Sequence, residues 1–151
     1  MILEFSDWVF NADPQATQEY YFEESANRCE CCFCRNYFAT VDMFYPELRS
    51  LLNKFKIDLG VPEMLLPFRS TLYQASYYSI GQILRYGSTP IQVGSITVTA
   101  EEGEEPNTFL LHIGLMELPW ILEDDPSTEK TPSLMRDFFV ALSGDAAHTL
   151  S

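Results

Sequence analysis

Arg28-Cys29-Glu30-Cys31-Cys32-Phe33-Cys34-Arg35-Asn36-Tyr37 holds all four cysteines of the chain and runs directly into its strongest helical periodicity. Tyr37, Val41, Phe44, Leu48, Leu51 and Phe55 recur at alternating spacings of four and three, which places them in one stripe along a helix surface. Pro46 interrupts the stripe, because its ring clashes with the carbonyl four residues earlier. The spacing therefore predicts two helices, or one sharply kinked helix, over Cys34–Phe44 and Pro46–Lys56. Lys54 and Lys56 fall in the last turn, where cations suit the negative end of the helix dipole.

On the N-terminal side of the cysteines, Asn11-Ala12-Asp13-Pro14 is a helix start. Asp accepts from the first free amides, and Pro at the first helical position gives up a donor that has no partner there. A helix from Pro14 to about Glu24 follows, with Ala16, Tyr20 and Tyr21 or Phe22 expected to face inward, and Ser25-Ala26-Asn27 ending it. Residues Ile2 to Phe10 alternate loosely and suggest one short strand.

Beyond the loop Ile57-Asp58-Leu59-Gly60-Val61-Pro62, the pattern changes from Thr71 onward to period two, with β-branched and aromatic residues. Leu72–Ser79 and Ile80–Tyr86 read as a strand or bulged pair around Gly81. Ile91–Ala100 alternates on either side of Gly94, and Glu101–Asn107 is a charged turn. Thr108–Glu117 returns with Phe109, Leu111, Ile113 and Leu115 on one face, and Pro119–Leu122 continues as an extended edge. Thr131-Pro132 repeats the capped start, and Gly144 closes a final helix. The expectation is an α+β fold in one domain over residues 1–151: helices at about 13–57 packed on an antiparallel β-meander at about 71–122, with a C-terminal helix at about 132–143.

With 151 residues the chain has the usual size of one domain. Its N-terminus carries Glu4 and Asp7 where a signal peptide has an apolar run, and its longest apolar stretch, Phe109–Leu122, is short for a membrane span. A cytoplasmic location is expected, and there clustered cysteines are thiols, metal ligands or a redox pair before they are a permanent disulfide framework. The formal charge is -13, and no Lys or Arg occurs between Arg85 and Lys130. Glu101, Glu102, Glu104, Glu105, Glu123, Asp124 and Asp125 all lie in that interval. Such a surface repels nucleic acid and anionic membranes, and it serves either solubility alone or the capture of a basic or mixed-charge protein.

Cys29, Cys31, Cys32 and Cys34 parse either as a C-x-C-x-x-C triplet with one further thiol or as two overlapping C-x-x-C pairs. Zn(II) takes four tetrahedral ligands, so a site built on Cys29, Cys31 and Cys34 needs a fourth from His112, His148 or a carboxylate, with Cys32 turned away. Alternatively, Cys31 and Cys34 form a dithiol beside a helix N-terminus, where free amides and Arg28 or Arg35 stabilise a thiolate. A third reading has reduced cysteines packing the junction between two helices.

Tyr20-Tyr21, the segment Cys29-x-Cys31-x-x-Cys34-Arg35-Asn36-Tyr37, Pro46-Glu47-Leu48, Ile57-Asp58 and Leu118-Pro119-Trp120 together resemble small acidic proteins of Gram-positive bacteria and their mobile elements. The resemblance spans most of the chain and implies no activity. It does imply that Cys29, Cys31 and Cys34 are the recurring triplet and that Cys32 is incidental.

The sequence lacks G-x-S-x-G, H-E-x-x-H and phosphate-binding glycine loops, so no catalytic residue is assigned. The leading expectation is a non-enzymatic, acidic protein-interaction module of the inhibitor, immunity or regulator type with a structural cysteine cluster. The alternatives are a zinc-binding protein using Cys29, Cys31 and Cys34, and a thiol–disulfide oxidoreductase.

Overall fold

The computed structural model of the chain describes residues 1–123. Asp124, Asp125, His148 and the expected C-terminal helix lie outside the described residues. Within them the fold is α+β, with three α-helices and a seven-stranded antiparallel sheet.

The N-terminal segment is a hairpin of β1, Ile2–Phe5, and β2, Trp8–Ala12, where one short strand was expected. Phe5 pairs with Trp8 across a two-residue turn in which Ser6 adopts φ 55°. Helix α1 spans Pro14–Glu24 as the cap-plus-proline signal predicts, and the Asp13 carboxylate accepts from the Ala16 amide at 3.0 Å. Its inward residues are Thr17 and Tyr21, four apart, while Phe22 is 84% exposed. A 3₁₀ turn at Ser25–Asn27 carries the chain to the cysteines.

Helices α2, Cys32–Phe44, and α3, Pro46–Lys54, divide at the expected place, because Tyr45 leaves helical geometry at φ -135° and Pro46 starts the new helix. The stripe is buried at Tyr37, Val41, Leu48, Leu51 and Phe55. Phe44, the last residue of α2 before the chain turns, departs from it at 49% exposure.

The sheet begins earlier than its period-two pattern suggests, with β3 at Met64–Arg69. Pro67 masked this strand in the sequence, yet β3 pairs only with the long strand β4, Leu72–Arg85, so its missing amide donor is tolerated on an edge. The other strands are β5, Ile91–Val93, β6, Ile96–Glu102, and β7, Thr108–Glu117. Their order is β1-β2-β4-β7-β6-β5, with β3 also on β4. The expected simple meander therefore holds only for β5-β6-β7, because β4 connects to β5 but lies beside β7, as in a Greek key.

β4 is the spine: its first half pairs with β3 and β7, and its last residues pair with β2. Gly81, at φ 140°, makes the second pairing reachable, because a Cβ there would collide with the Asn11 carbonyl oxygen and the Ala12 Cα. Opposite β4, Tyr73 pairs with Met116 but Ala75 with Ile113, so β7 carries one extra residue. That bulge shifts the inward set: Ile113 and Met116 are buried and Leu115 is exposed, against the expectation that Leu115 shares the face of Ile113.

The helices cover one face of this sheet. Phe10 of β2 stacks on Phe109 of β7 at 5.2 Å between ring centres, and Phe55 meets both rings edge-on. Each ring taken from water contributes roughly 2 kcal/mol, and each such pair about 1 kcal/mol more. Polar clamps fix the register. The Tyr37 and Tyr77 hydroxyls meet at 2.6 Å, and Tyr77 donates on to the Leu59 carbonyl at 2.7 Å. Pro119–Leu122 is not a strand; instead Asn36 of α2 holds it, donating to Pro119 O at 3.0 Å and accepting from the Ile121 amide at 2.9 Å.

Candidate metal centre

Arg28 leaves the 3₁₀ turn in an extended conformation, and Cys31, at φ -65° and ψ 163°, is the N-cap of α2. Its sulfur accepts from the Cys34 amide at 3.5 Å, where a hydroxyl or carboxylate usually stands. Cys34 lies three residues into the helix and therefore projects back over the same end. Arg35 Nε anchors the approach from outside by donating to Glu30 O at 3.1 Å.

The outcome is a convergence of sulfurs. The Sγ atoms of Cys29, Cys31 and Cys34 all lie within 4.8 Å of one another. Tetrahedral zinc with Zn–S near 2.3 Å sets its sulfurs about 3.8 Å apart, so small side-chain rotations would close the triplet on an ion. Cys32 is buried but does not belong to the triplet. Cys29 is exposed, Cys31 half-buried and Cys34 buried, so the site sits at the surface with one side inside the protein. Among the described residues no His, Asp or Glu joins the three thiols.

Protonation is uneven within the triplet. The Cys31 thiol is lowered to about 6, chiefly because Cys34 S–H donates to it, with the Cys34 amide, Cys29 and the Phe33 amide adding to this against the opposing effect of burial. Cys34 is raised for the converse reason: it gives that hydrogen bond, and it is buried. The pair thus favours a thiolate at Cys31 beside a thiol at Cys34, and a bound cation would displace the remaining proton.

His112, a sequence candidate for the fourth ligand, is committed elsewhere. Its Nε2 lies 2.8 Å from Glu101 Oε1 and its Nδ1 2.8 Å from Ser76 Oγ, so both ring nitrogens are engaged on the sheet. The acidic candidates stand apart from the sulfurs in the chain. Glu101 and Glu102 end β6, Glu104 and Glu105 lie in the β6–β7 turn, and all four are exposed, as is Glu123.

A cavity of about 630 Å³ opens beside the triplet, and Cys29 and Cys34 form part of its wall. Its remaining lining is largely apolar and comes from α1, the 3₁₀ turn and Arg28 after it, α2, the loop after α3, and β3. No local signal in the sequence marks it, because β3 was not recognisable and the walls come from several separate segments. Arg28 stands at its edge with the guanidinium 4.9 Å over the Phe38 ring.

Among the described residues no helix is long and apolar enough to cross a membrane. No protein-family model, curated protein or solved structure matches the chain.

Proposed function

We propose that this is a metal-binding protein that holds Zn(II) through the thiolates of Cys29, Cys31 and Cys34. The observation that supports this reading is the approach of three sulfurs to within 4.8 Å at a helix N-terminus, where free amides favour negative sulfur. Three thiolates suit zinc and other soft ions and disfavour Mg(II) or Ca(II). Elemental analysis of gently purified protein, paired with a thiol count, tests it. About one zinc per chain with the triplet shielded from thiol reagents supports it, and a metal content near zero with the triplet freely reactive removes it.

The same C-x-x-C pair favours a second reading, thiol–disulfide exchange, through the lowered Cys31 and raised Cys34. Failure of the metal-free protein to reduce insulin disulfides would remove that alternative. The acidic interaction surface remains a proposal about the other side of the activity. Four exposed glutamates on one hairpin, Glu101, Glu102, Glu104 and Glu105, would attract a basic or mixed-charge protein, with Glu123, Asp124 and Asp125 as further candidates. Charge reversal of the four glutamates should abolish salt-sensitive capture of such a partner.

A further inference from the structure

Among the described residues three sulfurs leave one corner of a tetrahedral zinc site without a protein donor, and sites of that kind are the ones that exchange ligands. Cys29 and Cys34 both line the 630 Å³ cavity, so an ion held between them has a side on that cavity. The volume lies in the range that takes small molecules, which runs from about 300 to 1,000 Å³. Phe38, Val61, Leu65 and Leu66 give it an apolar interior.

Its charged lining is two carboxylates to one guanidinium. Glu24 and Glu63 both belong to the lining, and Tyr20 donates to Glu63 Oε2 at 3.5 Å. Partial burial and the charge of Glu24 raise the Glu63 carboxyl, against the lowering effect of the Tyr20 hydrogen bond. The ring of Tyr78 lies 6.0 Å from that of Tyr20, and its hydroxyl is raised by burial first and then by the charges of Glu63, Glu104 and Glu105. Arg28 is the cation of the lining, and its guanidinium is spread over Phe38.

We infer that this cavity binds a low-molecular-weight thiol carrying an amine on an apolar body, with its sulfur completing the coordination of the bound ion and its ammonium group held by Glu24 and Glu63. The sulfur binds as thiolate and releases its proton to solvent; no electron is transferred. An anionic thiol would meet the carboxylates and a metal–thiolate centre that is already negative. A neutral thiol lacks the ammonium contact. This inference rests on the metal reading above.

Full-length protein loaded with Co(II), which replaces zinc and absorbs visible light when bound by thiolates, separates the two. Aminohexanethiol, mercaptohexanol and mercaptohexanoate are titrated in turn while the cobalt bands are followed. The expected result is a change in the bands at saturation by each thiol, with aminohexanethiol binding about tenfold more tightly than mercaptohexanoate. The Glu24→Gln/Glu63→Gln variant should erase that preference and leave the cobalt spectrum of the thiol-free protein unchanged. Leu66→Trp, which narrows the cavity without touching a sulfur, should weaken all three. If Co(II) gives no thiolate bands, the metal reading and this inference fall together. If the bands appear but no thiol alters them, or the three thiols bind alike, the metal reading stands and the inference is overturned.

Discussion

The amide of Cys34 donates to the sulfur of Cys31 across 3.5 Å, so the first turn of α2 is capped by a thiol that is also a candidate ligand. One sulfur thereby serves the helix and the site at once, and the metal-free protein should reveal that in its acid–base behaviour.

The Cys31 thiol sits at about 6, below its ordinary value of 9.0, so the folded state favours the thiolate. A group with a depressed folded value stabilises the protein fully above its unfolded value and loses that contribution as pH falls through the folded one. Stability of the metal-free protein should therefore decline between about pH 9 and pH 6 by an amount that Cys31→Ser removes. Thiolate absorbance should titrate with a midpoint near 6. Cys34→Ala takes away the main donor to that sulfur and should move the midpoint up. A wild-type midpoint near 9 would refute this account of the pair.

Tyr37 and Tyr77 join α2 to the sheet through hydroxyls 2.6 Å apart. Tyr77 spends its proton on Leu59 O, so Tyr37 is the donor within the pair. Tyr77→Phe leaves both the Tyr37 donor and the Leu59 carbonyl without their partner, whereas Tyr37→Phe leaves one acceptor lone pair. Urea denaturation should give a loss of about 2–3 kcal/mol for Tyr77→Phe and about 1 kcal/mol for Tyr37→Phe. The reverse order would contradict the assigned direction.

Asn36 is fully buried and uses both amide hydrogens, on the Tyr73 hydroxyl and Pro119 O, and its oxygen on Ile121 N. Asn36→Ala should cost about 2–4 kcal/mol and make the chain near Trp120 the first site of limited proteolysis. Unchanged protease resistance there would mean that the segment is held by something else.

Signals that act within one turn of chain were readable in the sequence. Asp13-Pro14 starts α1, Pro46 divides α2 from α3, and Thr108–Glu117 is β7 to the residue. The C-x-C-x-x-C spacing of Cys29, Cys31 and Cys34 was also visible, whereas the helix start at Cys32, which makes Cys31 the N-cap and brings its sulfur to the end where Cys34 projects, was not. What depends on distant partners was not readable. Pro67 hid β3 because an edge position forgives a missing donor only once the neighbour is known. Leu115 and Met116 exchange faces through a bulge defined by β4, and strand order follows from where β4 finds β7. The burial of Asn36 has no local signal, because its partners, Tyr73 and the returning 119–121 segment, are distant in the chain.

Zinc affinity of four single variants, each measured against a chromophoric chelator, bears most directly on the proposed centre. Cys29→Ser, Cys31→Ser and Cys34→Ser should each weaken zinc binding by at least about tenfold, while Cys32→Ser, which alters a buried sulfur outside the triplet, should bind as the parent does. Equal affinity across all four variants, or a loss confined to Cys32→Ser, would contradict a centre made of those three sulfurs.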